Sequence, residues 1–179
     1  MRFSLKVSVC LLMFTACITS AQTEVAKGAK KSIVHTTANS ENHKTLLAVM
    51  RATDLEQLLD QSGPFTVFAP SDSAFENLSG KSIDHLLNPE NKQELKELLT
   101  YHIVAGKLSA SKILKAMCRG KGKATFTTVQ GEQITATMQG IDIVLTDSHG
   151  SRATIVVADS NQRNGVIHEI DSVIRPRKI

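Results

Sequence analysis

Near residue 120 the hydrophobic period of this chain changes from about 3.6 to about 2, and no other feature constrains its fold as much. Before the change, Leu46, Leu47, Val49 and Met50 recur at helical spacing. After it, Ile141, Ile143 and Leu145 alternate with Asp142, Val144 and Thr146, as the two faces of a half-buried strand do. Residues 125–129 and 133–138 flank Gln130-Gly131-Glu132 and predict a hairpin, and residues 153–158 form a β-branched run suited to a strand covered on both faces. Asn164-Gly165 predicts a turn ahead of a last strand. Helices first and strands later, with one early strand at 66–69, make an α+β arrangement in which helices pack on antiparallel sheet. No internal repeat is visible, so one domain is expected.

Local signals set the helix boundaries. Asp54 is placed to cap a helix through Leu55, Leu58 and Leu59, which Gly63-Pro64 then stops. Pro70 ends the early strand, and Ser71 or Asp72 supplies an oxygen for the amides of a helix beginning near Ser73. A short helix is expected over 83–87. Asn88-Pro89-Glu90 combines a capping side chain, a proline at the first helical position and an acid in the first turn, predicting a helix over 89–100. Another is expected over 109–117.

The first residues have the layout of a secretory signal peptide: Arg2 and Lys6, an apolar run over 7–18, then Thr19-Ser20-Ala21. Residues 1–21 are assigned to it, with cleavage before Gln22. Phe14-Thr15-Ala16-Cys17 offers the alternative of a lipoprotein processing site, with a lipid anchor on Cys17. The apolar run is shorter than the roughly 20 residues of a membrane-spanning helix. Residues 22–41 are polar and aperiodic and are expected to form a flexible linker before a domain at 42–177. Losing the leader leaves Cys118 alone, so no internal disulfide is expected. It also lowers the net charge from +4 to +2, nineteen bases against seventeen acids, which gives no reason to propose a nucleic-acid binder.

Two separated stretches and a landmark between them bear on family. The first runs Phe65-Thr66-Val67-Phe68-Ala69-Pro70-Ser71-Asp72-Ser73-Ala74-Phe75; the second runs Asn164-Gly165-Val166-Ile167-His168-Glu169-Ile170-Asp171 and continues to Pro176; Leu98-Leu99-Thr100-Tyr101-His102-Ile103-Val104 lies between. Together they resemble the signature of the fasciclin (FAS1) family, with Thr66, Phe68, Pro70, Ser71, Asp72, Phe75, Gly165, His168 and Asp171 as its structural motif residues. The resemblance implies a FAS1-like wedge of two packed, mainly antiparallel sheets decorated by helices from the first half of the chain, with the two motif strands adjacent. Ser71-Asp72 stands where many members have Thr-Asn, a change that keeps a capping oxygen at each place.

Candidate functional residues fall in four groups. His168 shares strand parity with Val166 and Ile170, which points to a buried, hydrogen-bonded histidine more than to a ligand or base. Asp72 and Asp171 would converge if the motif strands are neighbours, as a catalytic carboxylate pair or as turn caps. Tyr101-His102, which the resemblance associates with adhesion, is a candidate partner contact, although its aliphatic neighbours favour packing inward. Lys112, Lys115, Arg119, Lys121 and Lys123 form a basic cluster with no acid between Ser111 and Ala124; Gly120 and Gly122 suggest a mobile loop suited to acidic polymers, or else a solvated helix end.

Metal and enzyme motifs fail on spacing. Asp159 to Gly165 has its glycine in the seventh place where a calcium loop needs the sixth. No histidine pair has zinc spacing, and neither a P-loop nor a G-x-S-x-G elbow occurs. No catalytic residue, metal or cofactor is therefore assigned. Asn77-Leu78-Ser79 is a glycosylation sequon only in a eukaryotic host.

The resulting expectation is a secreted or envelope-located, non-enzymatic adhesion module, monomeric or weakly self-associating, that binds a protein or glycan at a cell surface or in extracellular matrix. The alternative is a small-ligand carrier or enzyme with its site between the two motif strands. Six Phe, one Tyr and no Trp leave few sugar-stacking platforms, which favours a protein partner.

Overall fold

The computed structural model describes residues 31–78 and 83–179. The expected signal peptide, the Cys17 processing site and the start of the linker lie outside the described residues, as does Ser79 of the sequon. The end of the linker is ordered. Helix α1 (Ile33–Ala38) is capped by Ser32, whose hydroxyl accepts the His35 amide, and Ile33 and Val34 are buried. Isolated apolar residues in a polar stretch carry no periodicity, yet Ile33 has a core to enter.

Helices α2 (Lys44–Ala52), α3 (Leu55–Gln61), α4 (Asp72–Glu76), α5 (Ile83–Leu86) and α6 (Lys92–Tyr101) surround strand β1 (Phe65–Pro70) in sequence. The helix expected at Pro89 begins as a 3-10 turn, Pro89–Asn91, with the Asn88 side chain accepting the Glu90 amide. Asp54 does not cap α3: it sits in the left-handed region at φ 58° and forms an ion pair with Lys92 of α6 instead. Helix α7 (Ala110–Arg119) follows β2 (Ile103–Ala105) and is capped by Ser109.

The remaining strands are β3 (Lys123–Thr127), β4 (Gln133–Gln139), β5 (Asp142–Thr146), β6 (Arg152–Gln162) and β7 (Gly165–Ile170). All seven join one sheet in the order β2-β1-β7-β6-β5-β4-β3, where two packed sheets were expected. Every pairing is antiparallel except β1 with β7, which is parallel. The sheet curls until its edges nearly meet: Val104 bridges Thr128, and the Val129 amide donates to the Ile103 carbonyl at 2.7 Å.

Strand parity then divides the core in two. Val67, Ala69 and Ile167 face α1, α2, α3 and α6, packing with Leu46, Met50 and Leu98. Phe68, Ile170, Ile134 and Leu145 face the inside of the curl, where Ile113 and Met117 of α7 plug it. Each large side chain fully buried in this way contributes about 1.5–3 kcal/mol. The two-residue turn Arg163-Asn164 joins β6 to β7 with Gln162 opposite Gly165. Asn164 ties it down: its Oδ1 accepts the Ile33 amide at 2.9 Å and its Nδ2 donates to the Leu59 carbonyl. A Cβ on Gly165 would lie 1.9 Å from the Phe65 carbonyl oxygen, so only glycine allows β7 this close to β1.

Candidate functional site

The parallel register sets Thr66 beside Val166, Phe68 beside His168 and Pro70 beside Ile170, so the two motif strands are direct neighbours. The polar groups along them are engaged. The Thr66 hydroxyl donates to the Gly106 carbonyl at 2.7 Å and accepts the Leu108 amide at 2.9 Å. The His168 ring stacks on Phe68 with centroids 5.7 Å apart, accepts the Asp159 amide at Nδ1 and donates from Nε2 to the Leu108 carbonyl at 2.7 Å. Burial lowers its pKa, with the Leu108 carbonyl and Asp159 opposing in part.

The aspartates are likewise engaged by backbone. Asp72, on the first turn of a helix that Ser71 caps, reaches back to α2: its carboxylate accepts the Thr45 amide at 2.8 Å and the Lys44 amide at 3.2 Å. His43 at that helix start makes no side-chain cap, so Asp72 supplies one from a distant part of the chain. Its partial burial would raise the pKa, but the Thr45 and Lys44 bonds outweigh it and hold the carboxyl below its ordinary value. Asp171 accepts the Thr154 amide at 2.7 Å. Asp159 accepts the Ala110 amide at 2.8 Å, capping α7. Asp72 and Asp171 are thus bonded to different elements, and neither bond is to the other.

Tyr101 and His102 do not form an exposed contact: Tyr101 is 0% and His102 2% exposed. The Tyr101 hydroxyl donates to the Gln133 carbonyl, joining α6 to β4 across the seam of the curl. His102 donates from Nδ1 to the Leu98 carbonyl at 2.8 Å and accepts the Ile174 amide at Nε2. Enclosure moves its pKa down to about 4. Partner contact through this pair would require the α6–β2 junction to open, since the ring and the imidazole pack inward.

The basic cluster is the one group at the surface. Lys112, Lys115, Arg119, Lys121 and Lys123 are all exposed. Lys112, Lys115 and Arg119 fall at i, i+3 and i+7 on the outer side of α7, opposite buried Ile113 and Met117. Among the described residues none of the five pairs with a carboxylate. The expected mobile loop is a built turn. Gly120 donates to the Ala116 carbonyl and Gly122 to the Met117 carbonyl, both at 2.9 Å, and Lys121 adopts φ 56°. A Cβ on Gly120 would lie 2.0 Å from the Lys123 carbonyl oxygen. Sequence located this cluster; what it did not reveal is the hydrogen-bonded turn that carries it from α7 into β3.

Among the described residues no group of three or more metal-ligating side chains is found, and no helix is long and apolar enough to cross a membrane.

The profile of the Fasciclin domain matches residues 41–176. Protein sll1483 of Synechocystis sp. is 36% identical over 153 residues, covering 86% of this chain and 78% of that protein. A cell surface glycolipoprotein of Mycobacterium bovis, MPB83, is 31% identical over 114 residues, 64% of this chain and 44% of its own. In structure, a FAS1 domain pair from the insect cell adhesion molecule Fasciclin I superimposes with a TM-score of 0.56 at 25% identity, over 73% of this chain and 44% of that one.

Proposed function

The chain belongs to the fasciclin family, and on that premise we propose that it is an exported, non-enzymatic interaction module that binds a protein or glycan at a cell surface or in extracellular matrix. The observation that carries the proposal is the α7 surface: five exposed bases, no acid between Ser111 and Ala124, on a helix, turn and strand fixed to the core. The hydrogen-bonded backbone of helix, turn and strand sets the spacing of the five bases, so binding costs the freedom of their side chains but not that of the chain that carries them. The relatives named for cell-surface location and cell adhesion support this reading.

The competing expectation, a catalytic or carrier site between the motif strands, is disfavoured by the bonding of its own residues. His168, Asp72 and Asp171 each hold backbone groups in place. Retention of the purified protein on immobilised acidic polysaccharides and on cell-envelope extracts, at low and high salt, tests the proposal. Binding should fall steeply with salt and be lost when Lys112, Lys115, Arg119, Lys121 and Lys123 are replaced by Gln. Salt-independent binding that survives this replacement would move the contact elsewhere.

A further inference from the structure

The β4–β5 hairpin ends in Gly140-Ile141, and Ile141 is 92% exposed, far beyond any other large apolar residue among those described. Gly140 turns the chain there at φ 63°, with nothing within 4 Å of where a Cβ would sit, so the tip projects freely. Met138, 42% exposed, pairs with Ile143 one step before the last pair, Gln139 with Asp142, that closes on the tip. Val156, 54% exposed, comes level with Asp142 when the β5–β6 register is continued two residues beyond Val144 and Thr154. Three apolar side chains therefore lie toward one end of three adjacent strands, Met138 on the face of Ile143 and Val156 on the opposite face, with Ile141 at the tip between them.

The neighbouring strand brings charge to the same end. Lys123 lies opposite Thr137, one residue short of Met138, so the turn carrying Lys121 and the end of α7 carrying Arg119 flank the hairpin tip. Asp142 is the one acid within the tip. An apolar point rimmed by cations fits an anionic lipid surface: the bases are drawn to the headgroups while the tip enters the boundary between headgroup and chain. Isoleucine at the tip departs from the Gly, Asn and Asp that such turns favour, and its place beside bases is what gives the exposure meaning.

We propose that Met138, Ile141 and Val156, with Arg119, Lys121 and Lys123, form a peripheral docking surface for anionic lipid bilayers. This surface uses bases from the cluster invoked above but adds an apolar element that binding to a soluble polysaccharide does not use. Its failure and the failure of that reading are therefore separable.

Co-sedimentation with phosphatidylglycerol–phosphatidylcholine vesicles, against phosphatidylcholine alone, gives the first test. Binding should require the anionic lipid, drop about 25-fold in the Lys121→Gln/Lys123→Gln variant at roughly 5-fold per base, and drop about 10-fold or more in Ile141→Ser. Ile141→Ser should leave polysaccharide retention unchanged. The chain contains no Trp, so Ile141→Trp is a single fluorescent reporter. Its emission should shift to the blue on adding anionic vesicles, while Leu58→Trp on α3 should not shift. Equal sedimentation with both vesicle types, no sedimentation, an unaffected Ile141→Ser variant, or unshifted emission from the Ile141→Trp variant overturns the proposal. Near-ultraviolet and thermal profiles matching the parent protein confirm that these surface variants are folded.

Discussion

His102 and His168 are held in opposite tautomers. The Ile174 amide donates to Nε2 of His102, whereas the Asp159 amide donates to Nδ1 of His168. A backbone N–H can only donate, so the proton of His102 sits on Nδ1 and that of His168 on Nε2, each directed at a carbonyl, Leu98 and Leu108 respectively. Nitrogen chemical shifts of the two rings should report one neutral tautomer of each kind. His102, with its pKa at about 4, should remain neutral at pH 6, where an exposed histidine is largely charged, and His168 should take up its proton at a lower pH than an exposed histidine does; finding His102 protonated at pH 6 would contradict the bonding.

Enclosure of His102 makes stability depend on pH. Its pKa is about 4 in the folded protein and about 6.5 when unfolded. The unfolded chain takes up the proton first as pH falls, so the contribution is intact above pH 6.5 and is lost progressively down to pH 4, by about 3 kcal/mol. Urea midpoints measured from pH 8 to pH 4 should fall accordingly. The His102→Gln variant should start lower, through imperfect replacement of two buried hydrogen bonds, and show a flatter profile.

The Asp72 carboxylate gives a second pH effect of the depressed-acid kind. Its stabilisation of α2 is present above the unfolded carboxyl value of 3.8 and disappears as pH falls through the lower folded value. Removing the cap in Asp72→Ala should cost about 1–2 kcal/mol at pH 7, as for a helix N-cap, and abolish that part of the acid transition. Hydrogen exchange should quicken at Lys44 and Thr45. Unchanged exchange there would show that α2 does not depend on this carboxylate.

The β1–β7 contact should tolerate no side chain at position 165. Gly165→Ala places a methyl 1.9 Å from the Phe65 carbonyl oxygen and near Ile33. The expected result is a loss of more than about 3 kcal/mol or failure to accumulate folded protein. Gly131→Ala meets no atom within 4 Å and suffers only the unfavourable φ of 106°. It should cost about 1–2 kcal/mol. Comparable chemical denaturation of the two variants would remove close approach as the reason for Gly165.

The period change near residue 120 and the two motifs made most of the fold legible. Local chemistry explains the successes: Ser71, Asn88 and Ser109 cap the helices that follow them, and Asn164-Gly165 turns the chain as its residue types require. The differences arise where a long-range partner decides. Asp54 has a capping side chain but meets Lys92 of α6, and α1 forms because Ile33 finds a core that no local pattern announces. Asp72 and Asp159 look like local turn residues in sequence, yet each also bonds the start of a helix far along the chain. Of the candidate surface, the bases were visible as a run. Their common outward placement was not, because it depends on α7 packing into the curl, nor was the exposure of Ile141, whose alternation with Ile143 and Leu145 reads as one more inward residue until the hairpin tip is located.

The near-meeting of β2 and β3 has a consequence for life at high local concentration. An open sheet offers a row of unused amides and carbonyls on which another chain can polymerise. Here the Val104–Thr128 bridge and the Val129–Ile103 bond occupy the short gap, and three-residue β2 leaves little template on its side. The gap between the two edges is thereby narrowed to a few backbone groups, so the sheet offers a second copy less open ladder than a flat sheet would, a safeguard that comes from connectivity.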